Sequence, residues 1–398
     1  LMRVLHFLPV YAPAWQFGGP VLSVSRLCEG LAAQGVEVRV LTTDAGLPEA
    51  LPSPEGSVTW RHGVEVIRHP VDRQGGTIRS RALERSLDRA MEGVQLLHLS
   101  AIWQPLGLPV QRAALERGLP VLHSLRGALG PYSFRRGWWK KVPWYLLRER
   151  PLLQRAAGLH LTSHQELREL RGRGLRPRRW ILPNPVDLNA LGMDPALRLQ
   201  TRQELGLAAT EPLFLICGRL HHKKGLDLLP HALAPLADRP WRLLIVGADD
   251  DGSGRRLRDG LEREGLGHRA LWQPTRGAVE LAGIYNAADL LLLPSRHENF
   301  GNVVIEALAC GAAVMVSDRT GVGGDLLAEA PAGCGQVLPR DPKRWREALA
   351  IWLRQPRRAG RRGADWAASR YGQDAVARQA LGIYEEILHT WPQHQHPL

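Results

Sequence analysis

Two doubly wound α/β domains are the fold class that this sequence predicts, and three observations carry the prediction. The chain has 398 residues, 44% of them hydrophobic, which is enough to build two cores. Its apolar runs are short and continuous rather than alternating, as strands buried on both faces of a parallel sheet are. Each run leads into a loop with Gly or Pro and then into a helical stretch, the order that a parallel sheet requires. The boundaries read as 1–185 for the first domain, 186–372 for the second and 373–390 for a final amphipathic helix.

Residues 3–10 read as the first strand, followed by the loop YAPAWQFGGP and a helix over about 21–34. Gly18 and Gly19 would let the backbone approach a ligand closely, as in phosphate-cradling loops, and an ordinary tight turn uses the same pair. Strands follow at 36–41, 96–100 and 121–125 with helical stretches between them. His123 lies near the end of the last, in LHSLRG, and is either a satisfied core residue or a catalytic one. Residues 126–155 interleave many cations with Trp138, Trp139, Trp144 and Tyr145. Three readings fit that stretch. It suits an anionic membrane face, where aromatic rings sit at headgroup level, or single-stranded nucleic acid, through stacking above a cationic groove, or a solvated basic face with its tryptophans in the core. Strands at 159–162 and 180–182 end this half, and PNPVD at 183–187 joins it to the next.

In the second half a strand at 213–217 leads into GRLHHKKGLDLL, which sets Arg219 and Lys224 at its carboxyl end. Strands follow at 241–247 and 270–273. The acidic run Asp249–Asp250–Asp251 lies in a Gly-rich loop without a further ligand cluster and reads as solvated, not as a metal site. The strand 290–293 is wholly apolar, and the stretch PSRHENFGNVVIEALACG after it compresses two acids, a sharp loop and a helix start. Asn302 reads as the N-cap of a helix over 303–310 that stops at Gly311. Free N–H groups at such a helix start favour an anion, in the place where open α/β sheets bind ligands. Glu298 stands before the helix and Glu306 just past its first turn. A further strand at 313–317 and two helical stretches precede the final helix.

With seven residues between its two glutamates, ENFGNVVIEALACG resembles the signature of retaining GT-B glycosyltransferases of family 4, and GRLHHKKG and PNPVD resemble other segments of that family. The resemblance implies two Rossmann-like domains facing a cleft, the last helix packing back on the first. It implies that Glu306 holds ribose hydroxyls, that Glu298 and the backbone of Phe300 and Gly301 hold the donor sugar, and that Asn299 and Asn302 belong to the donor-binding set. Arg219 and Lys224 would neutralise the diphosphate, His123 would contact the transferred sugar, and Gly18 and Gly19 would lie near the donor phosphates. The implied partners are a UDP- or GDP-sugar and a glycan or lipid-linked acceptor, with no cofactor and no metal, in cell-surface polysaccharide or glycolipid synthesis. Three positions depart from the pattern. Pro185 replaces a glycine in the hinge, Asp325 replaces a glutamate, and QPTRG lacks a glycine after its aromatic residue.

The formal net charge of +13 implies anionic partners, which leaves a nucleic-acid-binding protein on a degenerate scaffold of this kind as the competing reading. The four cysteines have no paired spacing, so neither a disulfide framework nor a zinc site is indicated. LMRVLHFLPV lacks the features of a signal peptide and no stretch is long enough to cross a bilayer. The expectation is a cytoplasmic chain, peripheral at the inner membrane face if the cationic aromatic stretch docks there.

Overall fold

The computed structural model describes residues 1–51, 53–72, 77–135, 137–188, 190–274 and 277–391. Arg136 of the cationic stretch, Thr275 and Arg276 of QPTRG, and the end of the tail lie outside them. The chain divides into two units, Leu1–Pro185 with the helix Gln373–Thr390, and Val186–Gly372.

The first unit holds β1 (Arg3–Phe7), β2 (Glu37–Thr43), β3 (Ser57–Arg61), β4 (Val64–His69), β5 (Leu96–Leu99), β6 (Val121–Ser124), β7 (Gly158–Leu161) and β8 (Arg178–Ile181). They form one sheet in the order β3-β4-β2-β1-β5-β6-β7-β8. All neighbours run parallel except β3 and β4. The first strand is shorter than the sequence predicts, because Pro9 has no N–H for the ladder. The β3–β4 hairpin is not foreseen by the sequence reading. Its turn has positive φ at His62 (46°) and Gly63 (78°), the sense that matches strand twist. As an edge strand β3 leaves Val58 and Trp60 exposed, so it presents no apolar run to read.

The helix Gln373–Thr390 completes this unit's core. Val376, Ala377, Ala380, Ile383, Tyr384 and Ile387 pack with Val24, Leu27, Cys28 and Leu31 of the helix Gly19–Ala33, against the face of the sheet that carries Leu122. Gln379 Nε2 donates to Ile181 O at 2.9 Å and Trp180 Nε1 to Glu386 Oε2 at 3.2 Å, tying the helix to β8.

Beneath that helix a chain of buried polar groups crosses the sheet. His160 Nε2 donates to the Leu182 carbonyl at 2.8 Å, so its Nδ1 must accept from His98 Nε2 at 3.0 Å. His98 Nδ1 then accepts the Tyr384 hydroxyl proton at 2.7 Å, which leaves the Tyr384 oxygen to accept from His6 Nε2 at 3.2 Å. Every member is satisfied only while neutral. Burial first, and the Arg126 charge second, push His6 and His160 down to about 3, and burial likewise lowers His98 well below its ordinary value.

The second unit holds β9 (Leu213–Cys217), β10 (Arg242–Val246), β11 (Ala270–Gln273), β12 (Leu290–Leu293), β13 (Ala313–Ser317) and β14 (Gly335–Leu338), all parallel, in the order β11-β10-β9-β12-β13-β14. All four leucines of β12 are buried, between one core cluster on each face. Each contributes roughly 1.5–3 kcal/mol. The edge strand β14, with Gly335 and Gln336, is too short and polar for its sequence to announce it. All four cysteines are buried and none is disulfide-bonded. No helix among the described residues is long and apolar enough to cross a membrane.

The histidine chain sets a pH dependence. Because the folded values lie below the unfolded one, the unfolded chain binds more protons as pH falls below about 6.5, and stability drops there. Each buried histidine contributes a limiting slope of about 1.4 kcal/mol per pH unit. Urea midpoints should therefore fall steadily from pH 7 to pH 5, and His98→Gln should flatten the slope. A wild-type profile flat over that window would refute the argument.

Candidate active site

In the second unit the chain leaves β9 on one side and builds β10 and β11, then returns to β9's other side with β12. The loops after β9 and β12 leave neighbouring strands at their carboxyl ends, the place where open α/β sheets bind ligands. From β9 come Arg219 and Lys224. Arg219 is largely exposed and faces Asp250 Oδ2 at 3.5 Å. Lys224 closes the short turn His222–Lys224, and its Nζ lies 2.5 Å from Glu298 Oε2. Both side chains of that pair are about four-fifths buried, at 20% and 22% exposure, so their mutual attraction is screened less than that of a surface pair.

Glu298 sits on a loop held by its backbone. Its N–H donates to Arg319 O and its carbonyl accepts from Gly321 N, both at 2.9 Å, while Val322 N donates to Phe300 O at 2.9 Å. A Cβ at Gly321 would lie 1.9 Å from Asn299 O, so only glycine lets these two loops cross. Gly301, at φ 99°, caps the helix Asn302–Ala309. This corrects the expected N-cap: Asn302 already has helical backbone, and the glycine before it makes the left-handed turn. The N–H groups of Phe300 and Gly301 donate to no acceptor among the described residues, so they remain available to an anionic or hydroxylic ligand.

Glu306 follows on the same helix, buried, with its Oε2 accepting from the Tyr285 hydroxyl at 2.7 Å. Tyr285 is not among the residues that the sequence singles out. A tyrosine on a core-facing helix needs a partner for its hydroxyl, but nothing local names Glu306 as that partner. Arg340 is a second such residue. It donates to Pro294 O at 2.8 Å and to Gly225 O at 3.2 Å, and it reaches Asp227 at 3.3 Å, which braces the loops after β12 and β9 together. The Arg296 N–H donates to Lys223 O at 2.7 Å across the same seam.

The acidic run is exposed, as a solvated loop is, yet each member is engaged. Asp249 accepts from Arg255 N, Asp250 faces Arg219, and Asp251 accepts from the N–H and ring of His222, both at 3.0 Å. Hydrogen bonds from Ser253, then from His222, hold the Asp251 carboxyl well below its usual range. Ligand atoms of His221, His222 and Asp251 lie within 4.8 Å of one another. His221 Nδ1 accepts from Lys223 N, which leaves its proton on the nitrogen facing Asp251. The acidic run thus has two histidines gathered on Asp251, which corrects the expectation of a loop without a further ligand cluster: His221 and His222 come from the loop after β9, and nothing in the local sequence of the run places them there.

Three residues singled out by the sequence lie in the first unit. Gly18 caps the helix Gly19–Ala33, of which Gly19 is the first residue. His123 is buried on β6 with neither ring nitrogen hydrogen-bonded, and burial pushes it down to about 3, so it is neutral near pH 7. Of the tryptophans in the cationic stretch, Trp138 and Trp139 are exposed, so a core location is wrong for these two. Trp144 is half-buried and donates to Glu149 at 3.0 Å.

Two family models match in succession, the Glycosyl transferase 4-like domain over residues 18–185 and Glycosyl transferases group 1 over residues 198–366. A D-inositol 3-phosphate glycosyltransferase of Thermobispora bispora is 30% identical over 415 residues, 96% of this chain and 94% of the relative. The chain belongs to the group 1 glycosyltransferases. Another relative of that name, from Frankia alni, is 36% identical over 224 residues, and there the match spans 52% of this chain and about half, 54%, of the relative. Among solved structures, sucrose-phosphate synthase from Thermosynechococcus elongatus superposes with a TM-score of 0.75 at 22% identity, covering 98% of this chain and all of that one. Anabaena HepE, solved in complex with UDP-glucose, gives 0.72 at 18% identity, covering 97% and 100%. These likenesses establish the GT-B fold of this glycosyltransferase, with a Rossmann-like sheet in each unit.

The brace at Arg340 is testable. Arg340→Ala leaves two carbonyls without their donor, at about 1–3 kcal/mol each. Hydrogen exchange should speed up together in residues 221–227 and 294–301, and unchanged exchange in either loop would disprove the shared brace.

Proposed function

We propose that this glycosyltransferase moves a sugar from a UDP- or GDP-linked donor to a hydroxyl of a glycan or lipid-linked acceptor. In this reading the anomeric configuration is retained, no metal is needed, and the product belongs to cell-surface polysaccharide or glycolipid. The observation that carries the reading is the Lys224–Glu298 pair at 2.5 Å beside the start of the helix that bears Glu306, with Arg219 on the same loop as Lys224. Relatives named for an inositol 3-phosphate substrate and a GT-B structure holding UDP-glucose support a nucleotide-sugar donor and a polar acceptor.

Each group then has a task. Glu306, oriented by Tyr285, accepts from the ribose hydroxyls. Glu298, Asn299, Asn302 and the N–H groups of Phe300 and Gly301 take the sugar. Lys224 and Arg219 meet the diphosphate, whose charge grows as the bond from the anomeric carbon to its oxygen breaks. The acceptor oxygen bonds to the same carbon on the same face, and its proton passes to a donor phosphate oxygen. His123, being neutral, offers a hydrogen bond and not a charge to the transferred sugar.

The exposed rings of Trp138 and Trp139, with Leu146 and Leu147 exposed beside them and Lys140 stacked 4.6 Å from Trp139, support docking on an anionic membrane face. Arg135→Ser, Lys140→Ser, Trp138→Ala and Trp139→Ala together should abolish sedimentation with anionic vesicles and spare nucleotide binding. Wild type that stays in the supernatant at low salt would sink this part.

Removing one preorganised charge-stabilising donor costs ~3–4 kcal/mol. Lys224→Ala should therefore lower turnover by on the order of a hundredfold or more at saturating donor. Arg219→Lys should be impaired, since a point charge cannot grip phosphate oxygens as a guanidinium does. Tyr285→Phe and Glu306→Gln should weaken nucleotide binding in calorimetry without unfolding the chain. Wild-type turnover should survive EDTA, and its loss on chelation with recovery on adding manganese or magnesium would overturn the metal-free mechanism.

A further inference from the structure

The first sheet reverses between β1 and β5, as the second does between β9 and β12, and a cavity of about 510 Å³ opens there within the first unit. That volume lies within the range of small-molecule sites, about 300–1,000 Å³. Its walls are mostly apolar, with Phe17, Val21 and Ile78 among them, and its polar groups are Ser100, Gln104 and Arg126. Among the described residues that line it, Arg126 is the one that carries a charge.

That guanidinium is bound by neutral groups alone. Nη1 donates to Ser23 Oγ at 2.8 Å and to Asn184 Oδ1 at 3.2 Å, and the Ser23 hydroxyl passes its own proton to Pro20 O. Nε is buried without a partner, Nη2 makes no hydrogen bond among the described residues, and no carboxylate forms an ion pair with the group. Glu166, whose charge acts on Arg126 without pairing with it, commits its oxygens to Gly127 N at 2.5 Å and to the N–H and hydroxyl of Thr162 at 2.7 and 3.0 Å. Arg126 also sits at φ 49°, a left-handed conformation uncommon for a side chain of its size. Strain of that kind, at about 1–3 kcal/mol, persists where surrounding structure enforces it, and it clusters at ligand clamps. A buried cation lacking an anion is costly, and two of its donor nitrogens lack acceptors.

We infer that the acceptor of this glycosyltransferase carries an anionic group, a carboxylate or a phosphate, that Arg126 receives in this cavity. The inference rests on the transferase reading and adds the acceptor's chemical class to it. The apolar walls suit the C–H faces of a sugar ring, and Nη2 of the guanidinium, which makes no hydrogen bond among the described residues, is the donor left for an oxygen of the anion. Arg126 is on this account a specificity residue for the acceptor, separate from the groups that hold the donor.

The test titrates the full chain by calorimetry with glucuronate, glucose 6-phosphate and glucose. Charge-assisted hydrogen bonds make a preference of about tenfold or more the expected result for at least one anionic sugar over glucose. The tighter of the two identifies carboxylate or phosphate as the natural group. Arg126→Gln should erase the preference and leave UDP binding unchanged. Equal affinity for all three sugars in wild type, or a preference that survives Arg126→Gln, overturns the proposal. The wild-type comparison needs no variant, so a misfolded Arg126→Gln does not shelter the idea. Nucleotide release from donor is scored separately. Its absence with every nucleotide-sugar would overturn the transferase reading, whereas active transfer to neutral acceptors without an anionic preference overturns only the role of Arg126.

Discussion

Parallel pairing is the constraint on which the rest of this molecule depends. A parallel strand hydrogen-bonds to a neighbour pointing the same way, so every connection must cross back over a face of the sheet. Where consecutive crossings switch from one side of a strand to the other, the loops on its two flanks part, and the gap cannot be filled by the chain that made it. The second sheet parts at β9 and β12 and the first at β1 and β5. Arg219, Lys224, Glu298 and Glu306 stand at one reversal and the Arg126 cavity at the other. Neither location needed a special element, only strands apolar enough to be buried on both faces.

Given the gap, electrostatics decides what it holds. Without ligand, the Lys224 ammonium and the Glu298 carboxylate satisfy each other at 2.5 Å, so neither is a bare buried charge. Glu306 is steadied by the Tyr285 hydroxyl. The contrast with Arg126 is instructive. In the second unit Arg219 and Lys224 have carboxylates within reach, whereas in the first Arg126 hydrogen-bonds to neutral partners. Opposite arrangements suit different work, one keeping a site ready for a zwitterionic contact pattern and the other leaving a charge unspent.

Much of the candidate site was legible because its chemistry is contiguous: Arg219 and Lys224 fall within six residues, Glu298 to Glu306 within nine, and each group follows an apolar strand whose position is plain. What the sequence hides is joined through space. Tyr285 precedes Glu306 by 21 residues and Arg340 is 115 residues from Gly225, and neither carries a local pattern that names its partner. The edge strands β3 and β14 escape for another reason. An edge is covered on fewer sides, so its residues need not be apolar, and the hydrophobic run that betrays a central strand is missing. Asn302 misleads because two caps compete. The side-chain cap favours asparagine, but the glycine before it can turn left-handed and starts the helix one residue earlier.

The placement of the helix Gln373–Thr390 has a consequence for how the chain is made. The second unit is an insertion in the first, since Val186–Gly372 is synthesised between two portions of a single core. Leu27, Leu31 and the buried histidines of β1, β5 and β7 leave the ribosome long before Ile383 and Tyr384, which cover them. At about 5–20 residues per second, that face of the sheet waits on the order of ten seconds or more for its lid. Throughout that interval the nascent first unit presents an uncovered apolar face beside histidines that water can still reach, while the second unit, contiguous in sequence, can close its own core first.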